Sequence, residues 1–124
     1  MEIKTISTTN APGAIGPYSQ GWCAGDIIFV SGQLPVDAKT GVMPETIQEQ
    51  AELSCKNVIA ILESENVPVE QVIKTTCFLA DMSYFVAFNE VYAQYFTGKP
   101  ARSCVAVKEL PKGALCEIEV VAAK

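Results

Sequence analysis

Histidine is absent from this 124-residue chain, and arginine occurs only once, as Arg102. Without an imidazole group, the usual serine and cysteine triads are excluded and most zinc sites are disfavoured. Lysine and arginine form no stripe with interleaved aromatic residues, and the net charge is −5. The field of such a chain repels phosphate backbones and anionic membranes, so neither a nucleic acid nor a membrane is expected as a partner.

A CxxC pair, a secretory leader and a long apolar run are also missing from the sequence. The odd number of cysteines and their position in apolar runs are typical of buried free thiols; they are Cys23, Cys55, Cys77, Cys104 and Cys116. These features predict a cytoplasmic protein in a reducing compartment. The length predicts one domain that spans residues 1–124.

Hydrophobic periodicity and turn signals predict the order β, β, β, α, β, α, β, β along the chain. Thr46 and Glu49 have the spacing of a capping box, so the first helix is expected to begin there. It should end near Asn66, because Pro68 cannot donate a hydrogen bond into a continuing helix.

The second helix is expected after a cap at Asp81 or Ser83 and should end at Gly98 in a left-handed conformation. Val72–Ala80 is rich in β-branched and aromatic residues at most positions, which is typical of a central strand covered on both faces. The predicted fold class is α+β, with two helices on one face of a mixed six-stranded sheet.

The sheet face opposite the helices needs a cover, because the strands carry apolar residues on that side as well. The residues assigned to it are Ile27, Phe29, Cys104, Ala106, Ile118 and Val120. Association of identical chains is the simplest way to bury such a face.

The strongest functional signal is Arg102, which opens an apolar run, together with the carboxylate of Glu117 in the last strand. A guanidinium group binds a carboxylate through two parallel hydrogen bonds, which suits an anionic ligand. An internal ion pair with Glu117 or Glu119 is the alternative. In a simple hairpin of the last two strands, Arg102 and Glu117 would lie about 13 Å apart, which favours separate roles or another pairing of the last strand. Side-chain alternation places Arg102 and Cys104 on one strand face, and both glutamates on one face of the last strand.

Three further positions are candidates for ligand contact. Tyr18 lies on a loop rich in glycine and proline, where its ring either covers the core or presents its hydroxyl group to a ligand. Gly32 ends a strand, where glycine either relieves a bulge or allows a ligand to approach the backbone. Asn89 lies on the second helix and is either exposed or part of a site.

Taken together, the motifs resemble those of the Rid (YjgF) family, close to its RidA subgroup of enamine and imine deaminases. The matching stretches run in order through the whole chain: residues 10–21 (NAPGAIGPYSQG), 30–33 (VSGQ), 74–76 (KTT), 88–92 (FNEVY), 100–105 (PARSCV), 110–113 (LPKG) and 117–119 (EIE). The resemblance implies a fold similar to the small trimeric chorismate mutases, which is ferredoxin-like, and a homotrimer with clefts between subunits.

The same resemblance implies hydrolysis of 2-iminopropanoate, its enamine 2-aminoacrylate, and 2-iminobutanoate to 2-keto acids and ammonia. These intermediates leak from pyridoxal-phosphate-dependent serine and threonine dehydratases. Carried over to this sequence, it implies that Arg102 binds the substrate carboxylate, that Glu117 holds the attacking water and that Tyr18 completes the catalytic set. It implies further substrate contacts from Gly32, Asn89 and Cys104, which are the expected binding positions. No cofactor and no metal are expected.

Other functions remain open at this level. The first alternative is a non-catalytic protein that binds small 2-keto acids or other carboxylates through Arg102. A weaker one is an endoribonuclease or translation inhibitor, which the acidic composition and the lack of histidine disfavour. Chorismate mutase activity is suggested by fold alone, which does not determine function. A nucleophilic role for Cys104 lacks an activating base nearby in the sequence.

Overall fold

The computed structural model describes residues 1–124, which form six strands and two helices. The predicted order of elements and the α+β class are confirmed. The strands are β1 (Ile3–Ile6), β2 (Gly21–Ala24), β3 (Ile27–Gln33), β4 (Val72–Leu79), β5 (Ala101–Ala106) and β6 (Cys116–Ala123), and the helices are α1 (Ile47–Glu63) and α2 (Phe85–Tyr95).

The last strand inserts into the middle of the sheet, whose order is β1-β2-β3-β6-β4-β5. β6 pairs antiparallel with both β3 and β4, and β5 pairs parallel with β4 at the edge. β4 therefore separates β5 from β6, and the two strands form no hairpin with each other. Of the two arrangements left open by the sequence, the structure has the one in which the last strand pairs elsewhere.

Helix α1 begins with the expected cap. The Thr46 hydroxyl oxygen accepts a hydrogen bond from the Glu49 amide at 3.2 Å. The Glu49 carboxylate accepts one from that hydroxyl group at 2.9 Å, so it does not bind the Thr46 amide as in a full capping box. The helix ends at Glu63, and the chain turns at Asn66 with a φ of 59°. Neither helix has both the length and the apolar composition needed to cross a membrane.

The expected left-handed glycine cap of α2 is wrong. The residue with positive φ after this helix is Lys99, at 52°, whereas Gly98 has none. Gly98 instead packs against the backbone carbonyl of Glu70, and a Cβ atom there would lie 3.1 Å from that oxygen. Close approach of two chain segments therefore explains this glycine better than backbone conformation does.

The core lies between the sheet and the two helices, and a cluster of 22 buried apolar residues fills it. Four of the residues assigned to the opposite face lie on the helix side instead. Ile118 and Val120 are buried there. Cys104 and Ala106 pair with two β4 residues, Cys77 and Leu79, that are buried against the helices. β4 is also buried on one face only, since Lys74 is exposed on the other. Alternation along a strand defines two faces but does not say which of them meets the helices.

The opposite sheet face, called the open face below, carries a row of apolar side chains across three strands. Trp22 pairs with Phe29, and Phe29 pairs with Val121. The first two are 43% and 49% exposed, which is high for rings of this size. The open face is therefore an exposed apolar surface of this chain.

Candidate active site

Arg102 belongs to a cluster on the helix side of the edge strand β5. Its side chain reaches α2, where Nη1 donates a hydrogen bond to Oδ1 of Asn89 at 2.8 Å. The guanidinium carbon also lies 4.8 Å from the centre of the Tyr92 ring and 5.7 Å from that of Phe85, within the range of cation–π contacts. The β4 neighbour of Arg102 is Thr75, which faces the helices. This arginine cluster holds the guanidinium group through a neutral amide and two rings.

Glu117 lies in a second cluster, on the open face of β6. Its carboxylate packs directly on the backbone of Gly32, where a Cβ atom would overlap Oε2 of Glu117. The pairing of β3 and β6 is irregular between Val30 and Gln33, so Gly32 lies at a bulge. The bulge explanation for this glycine therefore applies, and the group that packs on its backbone is a carboxylate of the same chain. Approach of a ligand to Gly32 stays a prediction.

Tyr18 lies beside Glu117 in an open groove of about 430 Å³, which is also lined by Ile15, Ser31 and Gly32. The tyrosine is 50% exposed, so its ring does not serve as a cover of the core. Its hydroxyl oxygen accepts a weak hydrogen bond from the Ile15 amide at 3.4 Å, which leaves the hydroxyl proton directed to solvent or ligand. This glutamate groove has both a carboxylate and a hydroxyl group along its wall.

The two clusters face opposite sides of the sheet within one chain. Glu117 and Glu119 alternate with buried residues that face the helices, whereas Arg102 contacts a helix itself. The two ion pairs of the structure are Lys4–Glu65 and Lys56–Glu52. The internal ion pair of Arg102 with Glu117 or Glu119, considered from the sequence, is therefore not formed.

The surroundings of Glu117 in the folded chain favour the protonated form of its carboxyl group, relative to the same group in water. Partial burial raises the pKa of this carboxyl group, and the negative charge of Glu119 raises it further. A raised pKa makes the ionised carboxylate a better proton acceptor. Glu117 thus has the properties of a group that can activate or hold a water molecule.

Cys104 shares the helix-side face of β5 with Arg102, and its thiol has no feature of an activated nucleophile. Burial raises the pKa of the Cys104 thiol, and the nearby charge of Arg102 opposes this shift only in part. Burial also raises the pKa values of Cys77 and Cys116 to about 12. These thiols remain protonated near neutral pH, and all five cysteines are free.

No group of three or more Cys, Asp and Glu side chains is arranged to hold a metal ion.

The structure adds residues that the sequence did not single out. Tyr92 and Phe85 belong to the series of aromatic residues that follows helical spacing along α2 and would be taken as a core stripe, yet both rings lie against the guanidinium group of Arg102. The signal that could have found Tyr92 is its spacing of three residues from Asn89, which places both side chains on one face of the helix. Glu119, which the sequence suggested only as an ion-pair partner of Arg102, lines the glutamate groove.

Comparison with known proteins agrees with this fold. A family model described as endoribonuclease L-PSP matches residues 8–124. The chain belongs to this family, which is the Rid (YjgF) family, and the resemblance seen in the motifs is confirmed.

Among its relatives is the 2-iminobutanoate/2-iminopropanoate deaminase of Salmonella typhimurium, 46% identical over 98% of both chains. Among solved structures, Escherichia coli TdcF with bound serine is 46% identical, with a TM-score of 0.95 over 98% of each chain. The YjgF gene product of Escherichia coli is also 46% identical and gives a TM-score of 0.94 over 98% of each chain.

Proposed function

We propose that this protein is an enamine and imine deaminase that hydrolyses reactive 2-imino acids to 2-keto acids and ammonia. The observation that carries the proposal is the pair of unneutralised groups: Arg102, oriented by the amide of Asn89, and Glu117, whose carboxyl group is half-buried with a raised pKa. A relative named as a deaminase of the same imino acids supports it. A relative with bound serine also supports it, because serine carries the carboxylate that an arginine can bind.

We infer that the active site forms between chains of a homotrimer. The apolar row of the open face needs a cover, and the edge strand β5 carries backbone groups without a strand partner. A neighbouring chain that places its β5 edge against the open face would bring its Arg102 toward the glutamate groove. Association of this kind joins two half-sites that one chain holds apart.

The reaction needs a fixed substrate, a positioned water molecule and a route for protons. Water adds to the carbon of the C=N bond, and its proton passes to Glu117. Glu117 then returns that proton to the nitrogen of the carbinolamine. The C–N bond breaks as the C=O bond forms, the hydroxyl proton passes to the departing ammonia, and the product leaves as ammonium. A protonated imine is a strong electrophile, so positioning of water contributes more than strong deprotonation.

Each predicted site residue receives a role in this scheme. Arg102 binds the substrate carboxylate with the guanidinium edge that Asn89 leaves free, and Glu117 holds the water. The Tyr18 hydroxyl group donates to the substrate or the water. The backbone at Gly32 and Cys104 supplies further contacts. The scheme requires no cofactor, and small 2-imino and 2-keto acids are the ligands.

We further propose that residues 1–124 act as one Rid-type domain in the cytoplasm, where dehydratases that depend on pyridoxal phosphate release such imines. The five free cysteines fit a reducing compartment.

The decisive test mixes two variants of strongly reduced activity, Arg102→Lys and Glu117→Gln, by co-refolding them in equal amounts. If each site takes its arginine from one chain and its glutamate from another, about a quarter of the sites in randomly mixed oligomers contain both native residues. A dehydratase-coupled assay of keto acid and ammonia should then recover a corresponding share of the wild-type rate. Light scattering of the same sample should give the mass of three chains.

No recovery of activity in the mixture would place both residues in one chain and overturn the site between subunits. The non-catalytic binder remains the alternative function. If that function is correct, the wild-type protein will bind pyruvate but will not accelerate the release of keto acid or ammonia.

Gly32→Ala is expected to lower kcat about tenfold while changing the free energy of unfolding by less than about 1 kcal/mol. The added methyl group overlaps the Glu117 carboxylate, which lies at the end of a flexible side chain and can move aside. Gly21→Ala is the contrasting variant, because its methyl group would lie 2.7 Å from the backbone oxygen of Phe29. It should lower the melting temperature and leave Glu117 in place. Equal kcat in Gly32→Ala and wild type would show that the position of Glu117 is unimportant.

Glu119→Gln is expected to move the acid limb of the kcat/KM profile to lower pH. Glu117 must be ionised to accept a proton, so activity falls as pH drops through its pKa. That pKa is raised first by burial and then by the charge of Glu119, and removal of this charge lowers it. A positive charge from Arg102 of another chain would also lower it, without changing the direction of the Glu119 effect. If the acid limb of the kcat/KM profile stays at the same pH in Glu119→Gln, a group other than Glu117 causes that limb.

A further inference from the structure

Arg102 is held by more than its hydrogen bond to Asn89. Its guanidinium carbon lies closer to the ring centre of Tyr92, at 4.8 Å, than to that of Phe85, at 5.7 Å. Asn89 and Tyr92 are three residues apart on α2, so one face of the helix supplies both the amide and the closer ring. The guanidinium group is thus fixed at one edge by a hydrogen bond and at its face by a ring.

The Tyr92 ring is itself locked in place. Its hydroxyl group shares a buried hydrogen bond of 2.7 Å with Oγ1 of Thr75, which is fully buried on β4. On its other side the ring stacks on Phe96, with centres 4.6 Å apart and an angle of 28° between the planes. A hydroxyl bond and a stacked neighbour together fix both the position and the tilt of the ring.

The chemistry of these contacts leaves Arg102 able to bind a ligand. Asn89 is a neutral acceptor, so it orients the guanidinium group without cancelling its charge as a carboxylate would. The hydrogen bond uses Nη1, and the group has donors left for a second, bidentate contact. A guanidinium group oriented before the ligand arrives loses less conformational freedom on binding.

We propose that Tyr92 is a positioning residue for Arg102, with Thr75 holding its ring, so that the free guanidinium edge is presented to the carboxylate of the substrate. This inference rests on the proposed function, because it takes Arg102 as the group that binds the substrate carboxylate. In this proposal, Tyr92 and Thr75 contribute to substrate affinity and take no part in the bond-breaking steps.

The test compares Tyr92→Leu with Tyr92→Phe and with Phe88→Leu. Phe88 is buried and lies 5.8 Å from Tyr92 between ring centres, so its substitution opens the core without removing the ring under Arg102. Tyr92→Leu is expected to raise both the KM for the imine and the Kd for pyruvate about five- to tenfold, with kcat within about twofold of wild type. Tyr92→Phe keeps the ring and should restore affinity to within about threefold of wild type.

The single arginine of the chain permits a direct measurement as well. The side-chain NMR signals of a ¹⁵N-arginine-labelled sample come from Arg102 alone. In wild type and Phe88→Leu they should show a ring-current shift and hindered rotation of the guanidinium group. Tyr92→Leu should lose both, and Tyr92→Phe should retain the shift. This measurement does not depend on catalysis. The wild-type spectrum is informative by itself, even if a variant fails to fold.

Two outcomes would overturn the role of Tyr92. One is a wild-type guanidinium signal with the shift and rotation of free arginine. The other is pyruvate affinity that falls equally in Tyr92→Leu and Phe88→Leu at equal loss of melting temperature. Failure of the proposed function is a separate result: wild type would then neither hydrolyse the imine nor bind pyruvate, while the arginine signals would still report on its positioning.

Discussion

Replacing Glu117 with glutamine should lower kcat by on the order of 100-fold or more, the usual contribution of a positioned acid–base group. The amide has nearly the same shape as the carboxylate and can still accept a hydrogen bond from water. It cannot take the proton that water loses as the new C–O bond forms. The large effect is therefore expected on kcat, measured in the dehydratase-coupled assay at saturating imine.

Glu119→Gln is the matched control for this variant. It removes the same charge from the same strand face, two residues further along β6, where the side chain is exposed. At a pH above the acid limb it should change kcat by less than about threefold. Glu117→Gln should also bind pyruvate and unfold at the wild-type temperature. An unchanged rate in Glu117→Gln would reduce this residue to a strand carboxylate.

Elements defined by local patterns could be predicted from the sequence. The cap at Thr46 depends on residues within one turn, and the structure has its hydroxyl group bonded to the Glu49 amide. The turn at Gly25 is equally local: a glycine followed by Asp26 is typical of a tight turn, and this glycine has a positive φ of 59°. Gly98 was predicted wrongly because its role depends on Glu70, a residue distant in the sequence.

The pairing of the strands could not be predicted from local sequence patterns. Insertion of β6 between β3 and β4 is a long-range arrangement, and no short-range signal distinguishes it from a hairpin with β5. The same uncertainty explains the misplaced residues Ile118 and Val120. Alternation groups them correctly with each other, but only the completed sheet determines that their face meets the helices.

The candidate site shows the same division. Alternation along the strands correctly grouped Arg102 with Cys104 and Glu117 with Glu119, and the structure shows that these groups occupy opposite sheet faces. Tyr92 could not be separated from the core stripe of α2, because a buried ring has the same periodicity whether or not an arginine lies on it. The resemblance supplied the proposed roles of the site residues, and the structure shows that one chain holds Arg102 and Glu117 on opposite sheet faces.

Arg102→Lys is the second variant for which a large effect is expected. Lysine keeps the positive charge and much of the aliphatic stem, so the fold should survive. Its ammonium group cannot make two parallel hydrogen bonds to a carboxylate. Loss of a charge-assisted contact costs about 1.5 to 3 kcal/mol, which corresponds to a fall of about 10- to 100-fold in kcat/KM for 2-imino acids.

The choice of substrate separates loss of carboxylate binding from general damage. An imine without a carboxylate has nothing for Arg102 to bind, so its slow hydrolysis should be the same in wild type and Arg102→Lys. Lys108→Arg, which exchanges the same two side chains at an exposed position, should be unchanged with either substrate. If Arg102→Lys turned over 2-imino acids at nearly the wild-type rate, or lost activity equally toward both substrates, the guanidinium group would not be the carboxylate-binding group of the site.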